Sequence, residues 1–195
     1  MYALNSENKQ TQTRKKTVKQ RAARTSKEVA YVAVFVALVI AAQLVFAMIP
    51  GLEIVTVLFV SYAFAFGICR GMLAATSFSL LRQLVFGFVP SVLALYLLYF
   101  NLLTLLFGVL GRAVKRPSLN LWWLVAVACA CTALFSILDN LITPFWLGYG
   151  WKEAKKYFLL SLPVMFPQIG CTGVTVGFLF LPLIKAFRLT KRGLR

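Results

Sequence analysis

The chain has 195 residues, 61% of them hydrophobic and 13% charged, with a formal net charge of +16 and a mean hydropathy of +0.82. A soluble globular domain carries about 45–50% apolar and about 25% charged residues, so this composition indicates a membrane protein with several spans. It excludes a disordered, collagen-like or disulfide-stapled secreted chain.

Residues 1–28 hold eight of the 21 Lys and Arg. They read as a basic cytoplasmic tail, expected to be disordered and to lie against membrane lipid. Nucleic acid is not the expected partner, because no aromatic platform is interleaved with the charges. The run Val29–Ile49 is long enough to cross a hydrocarbon core about 30 Å thick. Its basic preface is too long for a secretory signal, so it reads as an uncleaved first helix. Ile49-Pro50-Gly51 ends it.

A second helix is predicted over about 54–69, with a turn at Arg70-Gly71, and a third over about 72–86, stopping at Gly87 to Pro90. Both are short for full spans and are expected to pack against neighbours or to be partly re-entrant. A fourth covers about 91–111, before the basic loop Arg112 to Pro117, and a fifth runs from Leu121 to about Leu141, before Pro144. A polar connector, Gly148 to Tyr157, precedes the sixth at about 161–187.

The prediction is therefore an all-α membrane protein. One domain, a six-helix transmembrane bundle over 29–187, is flanked by the tails 1–28 and 188–195. Six spans put both termini on one side. With the N and C termini cytoplasmic, 17 of the 21 basic residues fall inside, and Lys152, Lys155 and Lys156 fall outside. The positive-inside rule favours that orientation in the cell (plasma) membrane.

Counting 1.5 Å of rise per residue puts several polar groups at one outer level. These are Gln43 on helix 1, Glu53 at the start of helix 2, Arg82 and Gln83 on helix 3, Asp139 and Asn140 on helix 5, and Gln168 on helix 6. Ionisable groups at such depth face a cavity or a partner. One reading is an Arg82–Asp139 or Arg82–Glu53 ion pair, with amides tying helices together. The other is an outward-facing solute pocket walled by Tyr96, Tyr99, Trp146 or Tyr149. Two acids at this level would suit a cationic or amine-bearing solute, unless Arg82 neutralises one of them.

Helix 1 also carries Ala33, Ala37 and Ala41 at intervals of four, a smooth stripe that lets another helix approach closely. Gly67 and Gly71 share that spacing but straddle the predicted turn. The four cysteines, Cys69, Cys129, Cys131 and Cys171, lie in apolar runs and read as core-filling residues. Without histidine there is no His-based metal site, Ser/His/Asp triad or imidazole relay, and five acids leave few carboxylates for acid–base work. The chain has no GxxxxGK[ST], no GxSxG and no acid cluster for Mg²⁺. No catalytic residues, metal or cofactor are expected.

The layout of short helices, the alanine stripe and the outer polar layer together resemble the substrate-binding S component of energy-coupling factor (ECF) transporters. The stretch Ile49-Pro50-Gly51-Leu52-Glu53-Ile54-Val55-Thr56, followed by Phe66-Gly67 and Gly71, is similar to the helix 1–2 region of several such proteins. The resemblance implies a subunit that captures a vitamin or related small-molecule micronutrient from outside. It would deliver the solute inward with a coupling transmembrane subunit and two cytoplasmic ATPase subunits. It also implies docking of the coupling subunit on Ala33, Ala37 and Ala41. The binding site would then map onto Leu52–Glu53, Tyr96–Asn101, Asp139–Asn140 and Gln168, which adds Tyr96 and Asn101 to Glu53, Arg82, Gln83, Asp139, Asn140 and Gln168. The long basic N-terminal tail is not part of that family's pattern. A non-transporting scaffold of the cell-shape machinery would share the size and spans without needing an outer polar layer. A small channel is disfavoured, since no helix carries a polar stripe from face to face.

Overall fold

The computed structural model describes residues 26–49, 54–114 and 116–193. They form six helices: α1 Ser26–Phe46, α2 Val55–Phe66, α3 Ile68–Phe86, α4 Pro90–Ala113, α5 Leu121–Trp146 and α6 Trp151–Gly193. No strand occurs among the described residues. Four of the helices, α1, α4, α5 and α6, are long and apolar enough to cross a membrane.

The centre is α2. All twelve of its residues are buried, as expected for a helix that is apolar all round. At about 18 Å it is shorter than a hydrocarbon core of about 30 Å, and it packs on α3, α4 and α6. Helix α1 lays Val32, Phe35, Val36 and Val39 on the same core, the i, i+3, i+4, i+7 spacing of one helical face. Phe35 stacks on Tyr62 with ring centroids 3.9 Å apart and meets Phe187 of α6 edge-on. Ala33, Ala37 and Ala41 therefore point the other way, and all three are exposed. The outer surface carries many exposed large apolar side chains, Leu84, Trp122, Phe145 and Phe178 among them, the kind of surface that lipid covers.

Several helix boundaries differ from the sequence expectation. The turn between α2 and α3 is at Gly67, whose φ of +88° is open to glycine, and not at Arg70-Gly71. Arg70 instead donates to Glu28 at 2.6 Å and lies over the Phe66 ring, so its charge is matched inside the helix. Gly71 is a packing glycine, since a Cβ there would sit 3.1 Å from that of Thr104. Helix α5 runs through Pro144 to Trp146. A proline removes one hydrogen bond, but its own φ is helical, and so close to a helix end little else is lost.

The Gly148–Tyr157 connector is mostly helix. The Gly150 N–H donates to Glu153 Oε2 at 2.7 Å, half of a capping box, and this starts α6 at Trp151. Helix α6 then continues to Gly193, past the expected end at 187. Its 43 residues span about 65 Å.

The chain runs up and down, so the starts of α1, α3 and α5 and the ends of α2, α4 and α6 meet at one end, called here the terminal end. The Arg70–Glu28 pair and a hydrogen bond from Lys191 to the Ala65 carbonyl lie there. The other end is called distal.

Candidate functional site

A cavity of about 410 Å³ occupies the distal half, and every helix contributes to its wall. Gln43 and Phe46 come from α1, Val55 and Thr56 from α2, Arg82 and Phe86 from α3. Tyr96, Tyr99 and Phe100 come from α4, Thr132 and Phe135 from α5, and Gln168 from α6. Ala42, Ala47, Ile49 and Ile54 complete the lining. Pockets of 300–1,000 Å³ with aromatic walls and a few placed polar groups are the usual small-molecule sites.

The charge in this cavity belongs to Arg82. Its guanidinium carbon lies 4.4 Å from the Tyr96 ring centroid and 4.7 Å from that of Phe86, one helical turn further along α3. Stacking of this kind suits the planar, weakly hydrated guanidinium. Arg82 forms no ion pair with a carboxylate among the described residues. Its Nε is buried with no protein acceptor. Tyr96 is held in turn by Gln43, whose Nε2 donates to the phenol oxygen at 3.1 Å, and by ring contacts with Phe100 and Phe135. Gln43 Oε1 is also buried and has no protein donor. An unmatched donor and an unmatched acceptor thus flank one aromatic face.

No protein-family model, curated protein or solved structure matches this chain.

The other polar residues expected at this level have different tasks. Gln83 is buried and accepts from the Val89 N–H at 3.1 Å, which closes the link between α3 and α4. Asn101 donates to the Leu97 carbonyl and accepts from Thr76, tying α4 to α3. Asp139 accepts from Thr143 Oγ1 at 2.8 Å and from the Tyr157 hydroxyl at 3.4 Å. The expected Arg82–Asp139 pair is therefore not formed. Asn140 donates to the Ser136 carbonyl on its own helix. None of these four lines the cavity. Trp146 and Tyr149 are exposed and do not line it either. Leu52 and Glu53 lie outside the described residues.

The structure thus brings together Arg82, Tyr96 and Gln168 of the expected site set, with Tyr99 from the expected wall. Gln43, noted at the right depth but left out of that set, joins them. Phe86, Thr132 and Phe135 carried a weaker signal, because aromatic and hydroxyl side chains are frequent in such helices. Phe86 was still traceable, being four residues after Arg82 and hence on its face. Thr132 shares a hydrogen bond with Thr172 at 3.0 Å, which fixes α5 against α6 beside the cavity. Among the described residues no cluster of three or more His, Cys, Asp or Glu is placed to hold a metal.

Proposed function

We propose that this chain is the solute-binding subunit of an ECF-type importer, set in the cell membrane with both termini cytoplasmic. It takes up a vitamin or related micronutrient through the distal cavity. It then releases the solute inward while docked on a coupling transmembrane subunit that works with two cytoplasmic ATPases.

The cavity carries this reading. It is solute-sized, built by all six helices, and equipped with a guanidinium stacked between two rings. A non-transporting scaffold gains nothing from such an arrangement, because each buried polar atom left unmatched costs about 1–3 kcal/mol. A solute that supplies the missing partners recovers that cost on binding. With Asp139 turned toward Thr143 and Tyr157, the wall favours a flat, ring-bearing solute whose acceptor faces Arg82 over an amine-bearing one. The exposed alanine stripe on α1 supports docking: it offers a smooth, lipid-facing surface with no internal packing duty.

Native mass spectrometry of the full chain, purified in mild detergent, tests the reading. The expected result is one retained small molecule per chain, and uptake of that molecule only by cells that also make the coupling subunit and ATPases. A chain that retains no solute, and binds none from a panel of micronutrients, would overturn the proposal in favour of the scaffold.

A further inference from the structure

At the terminal end, opposite the solute cavity, a second cleft of about 500 Å³ opens between the ends of α2, α4 and α6. Its charge is one-sided. Arg112 of α4 and Arg188, Lys191 and Arg192 of α6 all line it, and no acid does among the described residues.

Beside the cleft, two helices meet without side chains between them. A Cβ at Gly111 would run into the Phe64 carbonyl, and one at Gly108 would lie 2.7 Å from Ile68 Cγ1. The α2–α3 junction therefore rests on the α4 backbone. Phe64, Ala65 and Phe66, at the negative end of the α2 dipole, line the cleft. Lys191 already serves this helix end, donating to the Ala65 carbonyl at 2.6 Å. The three arginines have no such duty. None of them pairs with a carboxylate among the described residues. Three guanidinium groups around one opening repel each other until an anion with several oxygens joins them, and their planar forks match phosphate two bonds at a time.

We infer that this cleft binds the phosphate of an anionic phospholipid headgroup. Its setting selects a lipid over a soluble phosphate. Phe64 and Phe66 supply an apolar wall, while Val109 and Leu189, beside Gly108 and Arg188 in sequence, are exposed on the surface where acyl chains would run. Basic pockets between transmembrane helices at this depth are suited to such headgroups. The inference is independent of what the distal cavity holds.

The test is lipid retention by the full-length protein in neutral detergent, read by native mass spectrometry with phosphatidylglycerol or phosphatidylcholine added. Phosphatidylglycerol should be held tightly and phosphatidylcholine not. Losing charge-assisted hydrogen bonds in an R112Q/R188Q/R192Q variant should weaken retention by roughly tenfold or more. Removing the same charge from the N-terminal tail, in K15Q/K16Q/K19Q, should leave retention intact. Equal binding of the two lipids would overturn the inference. So would equal loss in the tail variant, which would mean diffuse attraction, or displacement of the lipid by millimolar inorganic phosphate, which would mean a soluble anion. If the triple variant fails to fold, R188Q alone, an exposed site on the last turns of α6, must still lower retention; unchanged retention there also overturns it.

Discussion

Replacing Arg82 with methionine separates what the distal cavity does for binding from what it does for folding. Methionine keeps an unbranched stem against Tyr96 and Phe86 and removes the guanidinium. Two cation–π contacts, at 4.4 and 4.7 Å, are lost at about 0.5–2 kcal/mol each. Against this, a buried Nε without an acceptor no longer has to be desolvated, which returns about 1–3 kcal/mol. The two effects nearly cancel. Unfolding in detergent should therefore shift by only a few degrees, at about 2–4 °C per kcal/mol for a domain of this size. Solute retention should fall much further, because a charge-assisted hydrogen bond is worth about 1.5–3 kcal/mol, roughly 10- to 150-fold in affinity. The assay pairs thermal unfolding with the fraction of purified chain that carries its small molecule. Arg82→Lys should fall between wild type and methionine, since it keeps the charge and loses the planar stack. A collapse of stability in Arg82→Met, or retention equal to wild type, would refute the reasoning.

Three further outcomes are expected. Ala37→Trp, at an exposed position, should fold and keep its solute but lose uptake in cells; normal uptake would remove the docking role of the stripe. Asp139→Ala should leave Thr143 and Tyr157 without their shared acceptor and lower stability by about 1–3 kcal/mol, with solute retention unchanged. In a background lacking the native cysteines, Lys115→Cys should be labelled only from the cytoplasmic side and Lys152→Cys only from outside; the reverse pattern would invert the topology.

The positions of the helices were legible because apolar run length and glycine breaks report them directly. Helix α2 is expected over about 54–69, short for a span and either packed against neighbours or partly re-entrant; it is a buried helix of twelve residues that stops earlier, at Gly67. Some errors fell where a helix boundary depends on a contact distant in sequence, and others where a local signal was outweighed by polar residues or a proline. Arg70-Gly71 has turn-forming composition, yet Glu28 matches the arginine and Thr104 fits the glycine, so the helix continues. The polar start of α6 hid a capping signal, Gly150 followed by Glu153. The end of α6 depends on Lys191 reaching α2, which is 126 residues away in sequence.

The candidate site shows the same division between depth and direction. Residue counting along a helix gives depth at 1.5 Å per residue, but neighbours in sequence point about 100° apart. Arg82 and Gln83 sit at one level, and only the arginine reaches the cavity, while the glutamine turns to the Val89 N–H. Asp139 and Asn140 sit at that level too, and both turn to local partners on or beside α5. A carboxylate finds hydroxyl donors nearby far more easily than a guanidinium finds a spare acceptor inside an apolar bundle. The acid could therefore be absorbed into the framework, while the arginine, with five donors and two aromatic rings beside it, was left facing open space. That asymmetry explains why a layer of mixed polar residues reduces to one cation, two amides and a ring of aromatics. Under the proposed function, the same asymmetry directs the search for a solute toward acceptors and a flat face.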